Sequence, residues 1–175
     1  MAIRVLHKLK EEYPKATLCM IGPKKDSSFE ETENLAKELG IIDSVKFTGV
    51  LTKKEWHKMS EDYDIFINTT TIDNTPVSVM EAMAMGLPCI STNCLSGPLE
   101  MLNNNEEIKL VNGEFHIGAY GLLVNNHDEL GLKNAIQYYQ NNPNEREKYG
   151  RLSLQRSKDY ELSKIYGQFS NYLNS

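Results

Sequence analysis

No apolar run in this sequence approaches the ~20 residues needed to cross a bilayer as a helix. No secretory leader is visible at the amino terminus either. These absences set the expectation of a soluble, cytoplasmic protein. Cysteine is scarce: Cys19, Cys89 and Cys94 are odd in number and lack metal-ligand spacing. Cys19 and Cys89 lie in apolar runs, so they are expected to be small core residues in a reducing compartment, with no disulfide framework. Excess positive charge is also missing. The 19 Lys and Arg against 24 Asp and Glu leave a net charge of −5, which removes the basic footprint of a nucleic-acid binder. His7, His57, His116 and His127 show no ligand spacing, and no repeat, low-complexity tract or linker interrupts the chain. What remains is ordinary globular composition, 40% apolar and 25% charged over 175 residues. That is enough for a real core, and one domain over residues 1–175 is the simplest expectation.

Helix-like and strand-like segments alternate along the chain. Residues 2–12 place Ile3, Leu6 and Leu9 at helical spacing. "ATLCMIG" (16–22) is a short apolar run closed by Gly-Pro, as a buried strand would be. A helix over 28–40 ends at Gly40, "VKFTG" (45–49) is the next strand, and Thr52 with Glu55 forms a capping box for another helix. Strands are predicted at 64–70, 88–92, 108–111 and 121–124, and helices at 76–85, 128–141, 143–158 and 163–173, with a short helix near Leu99. Strands separated by helices imply right-handed crossovers and a doubly wound parallel sheet. Ligands of such sheets bind beyond the carboxyl ends of the strands. Three loops are therefore candidates: Gly22–Ser27, Gly49–Thr52 and Thr69–Pro76.

The third loop opens the helix with the least expected content. From Val77 to Met85 it is nearly apolar, yet Glu81 sits in its middle and Asp73 lies in the loop before it. Thr75 is expected as the N-cap with Pro76 at the first helical position, Gly86 beyond the last turn and Pro88 stopping the helix. The free N–H groups at such a helix start, on Val77 and Ser78 among others, form an anion site suited to phosphate. Glu81 is too far along the helix to be a capping-box acid. Its carboxylate leans back towards the same opening, and an ionised acid on a buried helix needs a partner. Two readings stay open on the residues alone. The acid pairs with a neighbouring lysine or a backbone amide, or it takes the vicinal hydroxyls of a ligand such as a ribose. Asp73 alone is equally consistent with ordinary turn chemistry.

"DNTPVSVMEAMAMGLPCIST" (73–92) resembles the nucleotide-sugar half of retaining glycosyltransferases of the GT-B architecture, family 4 (group 1). That family carries two acids separated by seven residues and a helix reading roughly E-A-M-A-x-G-x-P-V-I-x-T. Glu81-Ala82-Met83-Ala84, Gly86, Pro88, Ile90 and Thr92 fit this pattern. "YPKATLCMIG", "VKFTGVLTKKEWHKMSEDYDIFINTT", "SGPLE" and "YGLLV" resemble the family's other blocks, in order.

The resemblance implies a Rossmann-like carboxy-terminal half that transfers a sugar from a UDP- or GDP-linked donor to a glycan or lipid-linked acceptor, with retention. It assigns Glu81 to the ribose hydroxyls and Asp73 to the transferred sugar near the reacting carbon. The backbone from Asn74 through Thr75, Pro76 and Val77 to Ser78 is matched to the segment whose amides hold sugar and diphosphate. Gly49, Val50 and Leu51 would border the base. No cofactor or metal is implied, and front-side attack, with the leaving phosphate assisting deprotonation of the acceptor, accounts for retention. Asp73 departs from the usual Glu by one methylene.

The family's Gly-Arg…Lys-Gly segment and its acceptor-binding amino-terminal domain are expected to precede Met1, so the chain alone should bind nucleoside diphosphate weakly and turn nothing over. Lys24, Lys25, Lys53 and Lys54 do not occupy the matching positions and read as surface charge. In the full enzyme the last helix would cross to the missing domain, leaving an apolar patch here, and peripheral membrane association stays open. Ser96–Glu100 reads either as a turn approaching the donor sugar or as a plain Gly-Pro turn. The alternative function is a non-catalytic nucleotide-sugar or partner-subunit module of a split enzyme. An epimerase would need a further set of acids and a His, and a flavodoxin-like signalling domain would need acids where "MIGPKKD" carries lysines.

Overall fold

Ile3, Leu6 and Leu9 do form one face of a helix. In the computed structural model, which describes residues 1–24, 27–94 and 97–173, that helix opens the first of two units, Met1–Met59 and Ser60–Ser175. Helix α1 (Ala2–Leu9) is shorter than expected because residues 10–13 turn back, Tyr13 N donating to Leu9 O at 2.8 Å. Strand β1 (Leu18–Ile21) pairs in parallel with β2 (Val45–Gly49), with α2 (Ser27–Glu38) between them in sequence. Ile3, Leu6, Ala36 and Ile41 form the core, with Leu18, Met20 and Val45 against it. Gly40, at φ +67°, ends α2 through bonds from Gly40 N to Lys37 O and Ile41 N to Ala36 O, the paired Schellman closure that a left-handed residue permits. The expected capping box opens α3 (Lys53–Ser60): Thr52 N donates to Glu55 Oε2 at 2.8 Å and Glu55 N to Thr52 Oγ1 at 3.3 Å.

The second unit holds a four-stranded sheet in the order β3-β4-β6-β5. Strands β3 (Phe66–Asn68), β4 (Cys89–Thr92) and β6 (Leu122–Val124) are parallel, and β5 (Phe115–Ile117) is an antiparallel edge. The parallel α/β character is as expected, but the strands fall into two sheets, one in each unit. The strand expected at 108–111 is absent. Its place as edge strand is taken by Phe115–Ile117, because Gly113 (φ +89°) turns the chain and Asp128 Oδ2 accepts from its N–H at 2.6 Å. The Phe115 ring then packs on Tyr138, centroids 5.3 Å apart. Central strands β4 and β6 are buried throughout, which is why they read as unbroken small and apolar runs.

Helices α4 (Val77–Ala84), α5 (Gly97–Asn103), α6 (Glu129–Asn141), α7 (Pro143–Ser157) and α8 (Leu162–Leu173) complete this unit. Asp128 caps α6 by accepting from Gly131 N at 2.8 Å. Helix α8 buries none of its residues. Leu162, Ile165, Tyr166, Phe169, Tyr172 and Leu173 form an exposed apolar patch on it, whereas Tyr139 lies wholly inside.

Two buried acids predict how this core responds to alkali. Burial pushes the Cys89 thiol up from 9.0 to about 12 and, as the largest of several causes, raises the Tyr139 phenol well above its ordinary value. Both are neutral when protonated, so above about pH 9 the unfolded chain releases protons that the native state retains. Stability should therefore hold below pH 9 and fall from there towards pH 12. The Tyr139 hydroxyl has no hydrogen-bond partner among the described residues. Tyr139→Phe should accordingly raise stability by about 1 kcal/mol at pH 8 and flatten the alkaline decline, read by denaturant unfolding across that range. Loss of stability in the variant would contradict this.

Candidate functional site

The carboxyl ends of β3 and β4 carry polar residues where the rest of each strand is apolar, and these hold the loop that follows. Asn68, Ser91 and Thr92 are buried. Asn68 Nδ2 donates to Ser91 Oγ at 3.1 Å, and the Ser91 hydroxyl donates to Thr92 O at 3.1 Å. Thr70 donates to Asn68 Oδ1 from its amide at 3.4 Å and its hydroxyl at 3.0 Å, while the Thr92 hydroxyl donates to Thr70 O. Asn126 Nδ2, beyond the end of β6, reaches Thr71 O at 3.5 Å. Every one of these bonds is internal, as buried polar groups require, and together they fix the base of the 69–76 loop. Of this network only Thr92 stood out in the sequence, as part of a motif. The Asn68–Ser91 pair could have been found from two polar residues placed where strands otherwise read apolar.

The loop then enters α4 one residue later than expected. Asp73 Oδ1 accepts from Thr75 N at 3.1 Å, a local turn that ends at the residue expected to cap. Pro76 is the N-cap instead, with φ −69° and ψ 84° and no side-chain cap. Its carbonyl accepts from Val79 N at 2.9 Å and Met80 N at 3.1 Å. The amides of Val77 and Ser78 have no acceptor among the described residues, and Val77 is 54% exposed. Two donors at the positive end of a helix thus face outward. The far end is closed by Gly86 (φ +74°), with Gly86 N bonded to Met83 O at 2.9 Å and Leu87 N to Ala82 O at 3.1 Å.

Glu81 lies on the half-buried side of α4, while Val79, Ala82 and Met83 face the core. Its carboxylate has neither a hydrogen bond nor an ion pair with the described residues. The lysine or backbone amide that one of the two readings called for is therefore not found among them. Asp73 is half-buried, and Asn74 and Thr75 are exposed. The structure thus gathers Asp73, Asn74, Thr75, Pro76, Val77, Ser78 and Glu81 into one loop-helix junction at the sheet's carboxyl edge.

Gly97, the first residue of α5, abuts this junction. A Cβ there would lie 2.5 Å from Pro76 Cδ and 2.7 Å from Asn74 O. Ser96, the preceding member of the expected turn, lies outside the described residues, as does Lys25. In the first unit, Gly49 (φ +81°) ends β2 beside the end of β1, its carbonyl accepting from Gly22 N at 3.2 Å. Val50 is exposed and Leu51 half-buried.

At the opposite edge of the second unit's sheet, before β3 and β4 begin, an open groove of about 550 Å³ is lined by Tyr63, Asp64, Pro88, Arg146 and Arg151 among others. Among the described residues no group of His, Cys, Asp and Glu side chains is placed to hold a metal ion, and no helix is long and apolar enough to cross a membrane.

Comparison with known proteins bears on this arrangement. The family described as "Glycosyl transferases group 1" matches residues 1–155. An uncharacterized glycosyltransferase of Haemophilus influenzae is 31% identical over 127 residues, 71% of this chain and 35% of that protein. A lipopolysaccharide 1,6-galactosyltransferase of Salmonella typhimurium is 30% identical over 93 residues, 51% of this chain and 24% of its own. The chain therefore spans about a third or less of these curated relatives. Among solved structures, HepE of Anabaena, crystallised with UDP and glucose, superposes with a TM-score of 0.77 at 18% identity, covering 98% of this chain and 44% of that one. TarM superposes with a TM-score of 0.78 at 18% identity over 99% of this chain and 32% of its own. At that identity the superpositions speak for the fold.

Proposed function

Because this chain belongs to the glycosyl transferases of group 1, we propose that it is the donor-binding half of a retaining, GT-B-type enzyme that moves a sugar from a UDP-linked donor to a glycan or lipid-linked acceptor. The observation that carries this reading is Glu81: a half-buried carboxylate with no partner among the described residues, one and a half turns along a helix whose first amides are free. A nucleoside diphosphate satisfies both ends of that arrangement. Its ribose hydroxyls donate to Glu81, and its phosphate oxygens accept from Val77 and Ser78.

The chemistry follows from where charge develops. As the bond between the sugar's anomeric carbon and the diphosphate breaks, negative charge grows on the leaving oxygens, and oriented amides at a helix start stabilise it without reorganising. Asp73 has one carboxylate oxygen engaged by Thr75 N. The other is left to orient the transferred sugar. Front-side attack, with the leaving phosphate taking the acceptor's proton, gives retention. UDP is preferred over GDP on the likeness to HepE, and a cell-surface or lipid-linked glycan acceptor on the named activity of the Salmonella relative. The acceptor is held by a second, amino-terminal GT-B domain, which also covers the exposed apolar side chains of α8.

Calorimetric titration tests the reading. UDP should bind this chain in the millimolar range, about −4 kcal/mol, more tightly than GDP and without turnover of UDP-sugars. Absence of heat with UDP, or equal affinity for UDP and inorganic pyrophosphate, would contradict it.

A further inference from the structure

We propose that Gly97 is a positioning residue for the diphosphate end of the donor site. Its missing side chain allows α5 to bear directly on the Asn74–Pro76 backbone, and that contact sets the direction in which the Val77 and Ser78 amides point. The inference rests on the donor reading above and adds a residue that touches no ligand.

Close approach, not backbone freedom, is what requires glycine here. Gly97 is not in the left-handed region, so any residue could adopt its backbone, yet an added Cβ would come within 2.5 Å of Pro76 Cδ, 2.7 Å of Asn74 O and 2.9 Å of Asn74 C. Two of those atoms are main chain and the third belongs to a rigid ring, so nothing at the contact can rotate aside.

The helix on the other side of the contact is held more firmly than the loop. Met101 and Leu102 of α5 are buried, Leu102 O accepts from Tyr120 N at 2.9 Å, and Arg156 Nη2 donates to Glu100 O at 3.0 Å. On the loop side Pro76 is buried, but Asn74 and Thr75 next to it are exposed and free to shift outward. A side chain at position 97 would therefore displace Asn74–Pro76 rather than α5. Pro76 is the N-cap of α4, so its displacement re-aims the two amides next to it. A misplacement approaching 1 Å at a binding constellation costs on the order of ten- to a hundredfold.

The test compares UDP with uridine, because only the former uses the amides. NMR-monitored titrations of the full chain would be run on the wild type, Gly97→Ala and, as a control, Gly167→Ala, whose added Cβ meets nothing within 4 Å. Gly97→Ala should weaken UDP about tenfold or more and leave uridine unchanged, with Gly167→Ala behaving as wild type. Unchanged UDP affinity in Gly97→Ala would overturn the inference, and so would an equal loss for uridine, which would indicate general damage. Failure of the wild type to bind UDP would instead overturn the donor reading, and the inference with it. Hydrogen exchange on the wild type supplies a second measurement that no folding defect can confound. UDP should slow exchange in residues 97–103 together with 77–80, and protection of 77–80 alone would overturn the inference.

Discussion

Glu81→Gln should leave the chain as stable as the wild type and remove most of its affinity for UDP. Gln keeps the size and the acceptor oxygen of Glu but loses the charge and turns one acceptor into a donor. Because the carboxylate has no partner among the described residues, nothing in the protein is orphaned by the change. Neutralising an unpaired, half-buried acid should cost little, which is read directly as an unchanged melting temperature. Gln can still accept from one of the two vicinal hydroxyls, so the ligand loses one charge-assisted hydrogen bond worth ~1.5–3 kcal/mol, and a loss of about tenfold to a hundredfold is expected. The ribose contact has its own signature. Wild type should prefer UDP to 2′-deoxy-UDP, and Glu81→Gln should not distinguish them. A large fall in melting temperature would show that the carboxylate is bonded within the protein, and undiminished UDP affinity would remove it from the site.

Gly150→Ala should produce a large loss of stability for a single added methyl. A Cβ at Gly150 would lie 2.6 Å from the carbonyl oxygen of Gly86, where α7 crosses the end of α4. Gly86 cannot yield easily, since at φ +74° it also closes α4 through the Met83 and Ala82 carbonyls. Overpacking against main chain costs about 1–3 kcal/mol, and loosening that closure adds to it, so about 3 kcal/mol is expected. For a chain of this size that corresponds to roughly 6–12 °C in melting temperature. Gly167→Ala, on α8 with nothing near the added methyl, should instead be neutral or stabilising by up to ~1 kcal/mol. An unaltered melting temperature in Gly150→Ala would mean that α4 and α7 do not approach so closely, and the support inferred for the donor helix would fall with it.

The features legible in the sequence are those whose causes are local. Thr52 and Glu55 are three residues apart and cap each other regardless of what surrounds them, and Gly40 and Gly86 end their helices through bonds within a single turn. The placement of Asp73 in a loop and of Glu81 inside the helix that follows was legible for the same reason, since neither depends on distant contacts. Thr75 belongs to two local patterns, an N-cap signal and a turn closed by Asp73, and in the structure the turn forms while Pro76 takes the cap position. The edge strand was missed because strand pairing is not local: Ile108–Val111 has the apolar composition, but the turn at Gly113 delivers Phe115–Ile117 to β6 instead. Gly150 could not have been singled out from sequence, and Gly97 stood out only as a member of the Ser96–Glu100 turn, not for its contact with Asn74. Each is defined by a carbonyl more than twenty residues away, and neither has the positive φ that usually betrays a required glycine.

The central claim is a location: a nucleoside diphosphate lies across the start of α4, with its ribose at Glu81. Titrating UDP into the ¹⁵N-labelled chain and following backbone amide shifts tests it most directly. The account predicts that the largest changes fall on Val77 and Ser78 and continue through Met80, Glu81 and Ala82. Changes gathered instead at Tyr63, Arg146 and Arg151, around the groove at the other edge of the sheet, would contradict it.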